Sequence, residues 1–291
     1  MPLYPALDPD SARFARTSDG LSTAGDWRSL FASYPAIVLV ANSDSVDIDA
    51  LRASLPQDAL FVFFNSVFKV LDRPFDGNAL LVARSDAGGA NIVRRGEVGD
   101  VVGYFASDRF LGIMSVRAGS HEKVAPASDF GGVPTGQLDL AGYFADFYPS
   151  DHLPSTGFAL AVWLCELELD QQIVLAGFSG RRSYSLKIFH GHDWTFEQIV
   201  QRLLVRSSRL IIASAPTPHA YAALAKRFPD MSAADISLAA AEILSERLES
   251  ANREIDRLIW VTKVNQSIQK FIRSLTFLRR LRRRPASEKG K

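Results

Sequence analysis

Short apolar runs separated by polar turns dominate the first two thirds of the chain. Ala36–Ala41 (AIVLVA), Leu60–Phe64 (LFVFF), Ala79–Val82, Gln172–Ala176 and Leu210–Ala213 each read as a buried strand. Between them lie stretches with helical character. These are Trp27–Phe31, Asp47–Leu55, Ser155–Cys165, Thr195–Val205 with Thr195 as its cap, and Thr217–Arg227, which stops before Pro229. Strand, helix, strand at this spacing predicts an α/β fold, a mostly parallel sheet with crossover helices. Leu138–Phe147 reads as one more helix. Residues 84–135 are rich in glycine and lack long periodic runs, so loops and short strands are expected there.

From Ser232 to about Arg284 the pattern changes. Leu244, Leu248, Ala251, Ile255 and Leu258 fall alternately four and three residues apart, the seam of a coiled coil or a long amphipathic helix. The seam turns polar at Thr262 and Asn265. The end of the chain is basic: Arg273, Arg279, Arg280, Arg282, Arg283 and Arg284 interleave with Phe271, Ile272, Leu275, Phe277, Leu278 and Leu281. Such a segment suits an anionic membrane surface. A solvated tail, or pairing with a second copy through 236–265, fits the same pattern. The chain therefore divides into an α/β domain over 1–230 and a basic helical extension over 231–291.

Composition narrows the picture. Lys and Arg total 33 against 32 Asp and Glu, so the chain as a whole makes no electrostatic commitment to nucleic acid. Cys165 is the one cysteine, which excludes an intramolecular disulfide; it sits in the apolar run Ala159–Leu167 as a packed thiol. Met1–Tyr4 lacks the basic start and apolar run of a signal peptide. No run approaches the ~18 apolar residues of a membrane span. A cytoplasmic location is expected, with peripheral attachment to the inner membrane through the basic end.

Three clusters carry candidate chemistry. The first is the strand end at Asn42 and Ser43, with Asn65 closing the next strand. Ligands of open α/β sheets bind at such ends, although asparagines there also serve as plain turn caps. The second is Pro154-Ser155-Thr156-Gly157, which opens an apolar helix. Its free N–H groups and dipole suit an anion, and an ordinary N-cap is the plainer reading. The strand that follows ends at Gly177 and Phe178. The third is His190-Gly191-His192-Asp193-Trp194-Thr195-Phe196-Glu197. A histidine just before a helix can act as a general base near neutral pH. No cysteine or carboxylate at ligand spacing completes a metal site with His190 and His192. Asp47 and Asp49 form a DxD pair that reads as negative charge at a helix start.

In order and spacing these clusters resemble the motifs of the sialyltransferase family. Ala41-Asn42-Ser43-Asp44 followed by Val62-Phe63-Phe64-Asn65 is similar to the long motif. Pro154–Cys165 followed by Val174–Phe178 is similar to the short motif. His192 and Glu197, with four residues between them, match the very short motif. The likeness spans about residues 36–200. It implies a single Rossmann-like, GT-A variant domain that binds a CMP-activated sugar acid at the strand ends and inverts the anomeric carbon. By position it implies that Asn42, Ser43 and Asn65 hold the ribose and phosphate. Ser155, Thr156 and Gly157 would receive the nucleotide at the helix start, and Gly177 and Phe178 would border the cytosine. His192 would be the base and Glu197 its support. Tyr143 and Tyr148 would offer hydroxyls to the departing phosphate; packing residues on an amphipathic helix are the alternative for both.

The donor sugar this implies is a 2-keto-3-deoxy acid, sialic acid or Kdo, passed to a glycan acceptor. No metal and no other cofactor is expected. The chain departs from the family at Ala41 in place of glycine, at Asp44 and at Phe63 in place of arginine. Arg181, Arg182 and Tyr184 stand where a further motif is usual. A non-catalytic nucleotide-binding protein on the same fold is the rival reading.

Overall fold

The apolar runs form a seven-stranded parallel sheet in a computed structural model that describes residues 17–84, 91–106, 108–178, 191–213, 227 and 232–282. The strands are β1 (Ala36–Val40), β2 (Leu60–Phe64), β3 (Ala79–Arg84), β4 (Phe110–Arg117), β5 (Thr135–Asp139), β6 (Gln172–Ala176) and β7 (Ile211–Ala213). Their order is β5-β4-β3-β2-β1-β6-β7, and every pairing is parallel. Every residue of β1, β2 and β3 is buried, which is why these strands, Arg84 at the end of β3 aside, are continuous apolar runs rather than alternating ones.

The helices are α1 (Ala24–Phe31), α2 (Ile48–Ala53), α3 (Val98–Val102), α4 (Ala141–Ala145), α5 (Thr156–Glu166) and α6 (Trp194–Arg206). They cover both faces of the sheet. Ile37 and Leu39 of β1 face one core, shared with Trp27, Leu30 and Phe31 of α1 and with Phe158–Leu164 of α5. Val38 and Val40 face the other, shared with Leu51 of α2 and Val101 of α3. This is an α/β Rossmann-like architecture.

Three expectations need correction. Residues 135–139 of the stretch before and into Leu138–Phe147 form edge strand β5, and only Ala141–Ala145 is helical. Residues 84–135, expected to hold short strands, contain the eight-residue β4. Its apolar run is broken in sequence by Gly112, whose φ of 110° admits the carbonyl of Pro134 to a spot where a Cβ would lie 2.1 Å from it. The cap of α6 is Asp193, not Thr195: Asp193 Oδ1 accepts the Phe196 N–H.

Chain path sets the place for a ligand. From β1 the strands step outward to β5, and the chain then returns to the other side of β1 with β6 and β7. The direction reverses between β1 and β6, the point beyond whose carboxyl ends open α/β sheets bind their ligands. The far edge is covered by residues 18–21. Gly20 N–H donates to the Thr135 carbonyl, Gln137 N–H donates to Leu21, and Trp27 Nε1 donates to the Gln137 carbonyl.

The chain divides into two compact units, Met1–Ala215 and Pro216–Lys291. The second contains α7 (Ala233–Arg282), a 50-residue helix. Leu244, Leu248, Ile255 and Leu258 are exposed on it. Among the described residues no helix is long and apolar enough to cross a membrane. The helix read over Thr217–Arg227 lies, Arg227 aside, outside the described residues, as do the side chains after Lys263.

Candidate active site

Helix α5 begins where the sequence places it. Ser155 is its cap, and Ser155 Oγ accepts the Phe158 N–H. Glu197 sits in the first turn of α6, 2% exposed, and reaches back to that cap. Its Oε1 accepts the Ser155 N–H at 2.6 Å and the Tyr148 hydroxyl at 3.0 Å; its Oε2 accepts the Ser155 hydroxyl at 2.6 Å. Tyr148 accepts in turn from the Asp193 N–H at 3.1 Å. One buried carboxylate therefore ties the starts of α5 and α6 together. The N–H groups of the first turn of α5 not used by Ser155 or Glu197 are those of Thr156 and Gly157. Burial pushes the Glu197 carboxyl above its usual range, against the hydrogen bonds from Ser155 and Tyr148 that pull it down.

His192 stands two residues before α6. Its Nδ1 lies 2.6 Å from the Leu153 carbonyl, the residue before Pro154. A carbonyl only accepts, so Nδ1 carries the proton of the neutral ring and Nε2 carries the lone pair. Burial lowers the imidazole below its ordinary 6.5. The carbonyl of Leu153 opposes this, the Arg84 cation adds to it, Glu122 opposes it and His152 adds to it. The sign follows: a depressed folded value contributes stability above the ordinary value that is lost as pH falls through the depressed one. If His192 is the base, the acid limb of kcat/KM is expected to have its midpoint below 6.5. A pH–rate profile with the limb at or above that value would point to another group.

At the strand ends, Asn42 follows β1 and is half-buried; Ser43 is buried, with its Oγ 2.8 Å from that of Ser45. Gly177 follows β6 at a φ of 78°, and a Cβ there would lie 2.5 Å from Val46 Cγ2 and 3.2 Å from Ser43 Cβ. The turn after β1 thus packs directly on the turn after β6. Gly157 permits a second close approach nearby: a Cβ there would lie 2.6 Å from the Phe178 ring, so the missing side chain admits that ring onto the start of α5. Asn65, at the end of β2, donates its Nδ2 to the Arg84 carbonyl at 3.0 Å. Its buried Oδ1 meets no donor among the described residues, the kind of group that a ligand N–H or O–H satisfies.

These contacts bring nearly all the expected residues into one chain of neighbours at the carboxyl edge of the sheet. Two tyrosine expectations change. The Tyr148 hydroxyl is committed to Glu197 and the Asp193 N–H, so it serves the protein rather than a phosphate. Tyr143 buries its hydroxyl beside Glu166, in the last turn of α5 and so at the opposite end from Ser155. Asp47 caps α2 through the Ala50 N–H, and Asp49 pairs with Arg73, so the DxD pair acts as helix cap and ion-pair partner. Among the described residues no group of three His, Cys, Asp or Glu side chains is placed to hold a metal. Cys165 is a half-buried thiol pushed up to about 11 by burial. His190, Arg181, Arg182 and Tyr184 lie outside the described residues.

Sequence reading missed Arg84 and Glu122. Their side chains are 9% and 2% exposed and paired at 2.5 Å. The one local signal is an arginine as the last residue of the apolar strand ALLVAR.

No family model matches the chain, and no curated protein sequence matches it. Among solved structures, the crystal structure of a mammalian sialyltransferase in complex with Gal-beta-1-3GalNAc-ortho-nitrophenol aligns over 68% of this chain and 68% of its own, at 14% identity and a TM-score of 0.29. A likeness that distant carries no argument about function.

Proposed function

We propose that this chain is an inverting glycosyltransferase that moves a 2-keto-3-deoxy sugar acid, sialic acid or Kdo, from its CMP-activated donor to a glycan hydroxyl. The observation that carries the reading is the setting of His192. Its Nδ1 is anchored on the Leu153 carbonyl, two residues from the cap of α5, so a ring with a basic Nε2 and a helix start with two available N–H groups belong to one rigid assembly.

In this reading Nε2 takes the proton of the acceptor hydroxyl as its oxygen attacks C2 of the sugar. The C2–O bond to the phosphate breaks, and CMP leaves with its electron pair. The N–H groups of Thr156 and Gly157 meet the growing charge on that phosphate. Asn65 Oδ1 is the acceptor for a donor group of the nucleotide, and the Gly177–Phe178 turn borders its base. Asn42 and Ser43 lie across the switch point, where the ribose would sit. The motif order read in the sequence supports the same assignment.

A thermal-shift screen tests the class. CMP is expected to raise the melting temperature, by about 2.7 kcal/mol of stability at 100 times its Kd, while CDP, UDP and GDP do not. EDTA is expected to leave the CMP effect unchanged, because a single phosphate can be met by protein donors. Equal stabilisation by all four nucleotides, or loss of the CMP effect with EDTA, would count against the reading.

A further inference from the structure

We infer that the buried Arg84–Glu122 pair is a positioning device for His192: it fixes the path of Leu153–Ser155, and that path holds the imidazole in one tautomer and one orientation. The argument starts from the guanidinium at the end of β3. Arg84 Nε donates to both Glu122 oxygens at 2.9 and 3.0 Å, and Nη2 donates to Oε1 at 2.5 Å. Nη1 faces away from Glu122 and donates to the Pro154 carbonyl at 2.5 Å. Glu122 is itself fixed, since its Oε2 accepts the N–H groups of Ala118 and Gly119 just beyond β4. The ends of β3 and β4 thus converge on one loop carbonyl.

The other polar groups of that loop are also taken. Leu153 N–H donates to Gly191, and Leu153 C=O faces His192 Nδ1. Pro154 has no N–H. Ser155 N–H donates to Glu197, and Ser155 C=O accepts from Ala159. Every backbone hydrogen-bonding group of the three residues has its own partner. Arg84 is the partner that comes from the sheet; the others come from α5, α6 and the residues before it. Leu153 also packs its side chain on Gly119 just beyond β4, but among the hydrogen bonds described the one from Arg84 is what joins Leu153–Ser155 to a strand end. Only an arginine has the fork to bond a carboxylate and a separate carbonyl at once; a lysine offers a single point charge.

The test uses full-length Arg84→Lys and Glu122→Gln with two readouts. The first is the nitrogen NMR spectrum of the His192 imidazole, which reports which nitrogen holds the proton. The unmodified chain should show the Nδ1–H form, and both variants should show a gain of the Nε2–H form. The second is kinetic and rests on the transfer reading above: kcat should fall roughly 10- to 100-fold, as misplacement of a reacting group predicts, with little change in donor KM. A changed imidazole spectrum in a chain that transfers from no CMP-sugar supports the device and counts against the transfer reading alone. Folded variants with an unchanged spectrum and unchanged kcat would overturn the device. Where neither variant folds, amide exchange in the unmodified chain decides: slow exchange at Leu153 and Ser155 supports it, and fast exchange at both overturns it.

Discussion

His192→Ala is expected to reduce transfer from a CMP-activated sugar acid by on the order of 10²-fold or more while leaving CMP binding in place. The two effects separate because the ring and the nucleotide cradle use different groups. In the proposed reading the cradle is Asn65 Oδ1, the start of α5 and the packed turns after β1 and β6. The start of α5 keeps its bonds to Glu197 when the imidazole is gone, and the Pro154 carbonyl keeps Arg84. What is lost is the lone pair on Nε2. Kinetics with a saturating donor, beside calorimetric CMP binding, would check both halves. Near-normal transfer by His192→Ala, with transfer lost in His190→Ala instead, would move the base to the other histidine.

Glu197→Ala is expected to cost the most stability of any single change at the site. It strands three donors: the buried Tyr148 hydroxyl and the half-buried N–H and hydroxyl of Ser155. An unsatisfied buried group costs about 1–3 kcal/mol and a half-buried one less, so the sum is about 3 kcal/mol. For a unit of this size that corresponds to a fall in melting temperature of roughly 10 °C. Glu197→Gln keeps the shape and one accepting oxygen but turns an NH₂ toward a donor, so it should fall between the two. Thermal and urea unfolding followed by circular dichroism give the comparison. A loss below about 1 kcal/mol for the alanine variant would mean that water or a rearranged Ser155 replaces the carboxylate.

The legible elements of this fold were those with local causes. AIVLVA, LFVFF and QIVLA could be read as strands because a parallel strand buried on both faces must be apolar throughout. Ser155 could be read as a cap because a cap needs only its own hydroxyl and the next few N–H groups. Strand β4 was hidden because Gly112 and Ser115 interrupt its apolar pattern; the Ser115 hydroxyl is satisfied by the Ala125 carbonyl, a partner no local window reveals. β5 was hidden because an edge strand with the burial of TGQLD has little apolar signal, and the apolar residues after it suggested a helix.

At the site the same division holds. His192 and Glu197 were singled out by their likeness to a sialyltransferase motif. The use of Glu197 was not visible, because Tyr148 lies 49 residues and Ser155 42 residues before it. Tyr148 and Tyr143 look alike in sequence, five residues apart near one short helix. Only tertiary packing turns one hydroxyl to Glu197 and the other to Glu166. Arg84 and Glu122, 38 residues apart, had no shared motif to announce them.

Residues 18–21 beside β5 bear on how the protein behaves in company. A parallel sheet that ends in a bare strand offers a ladder of hydrogen-bonding groups to any extended segment that drifts past. Here the Thr135 and Gln137 carbonyls and the Gln137 N–H are already claimed by Gly20, Leu21 and the Trp27 indole. Gly136 draws this strap in close, since a Cβ there would lie 2.5 Å from the Ser18 carbonyl. Residues 18–21 thus act as a selvedge, occupying edge groups of β5 through which an extended segment could otherwise be stitched on.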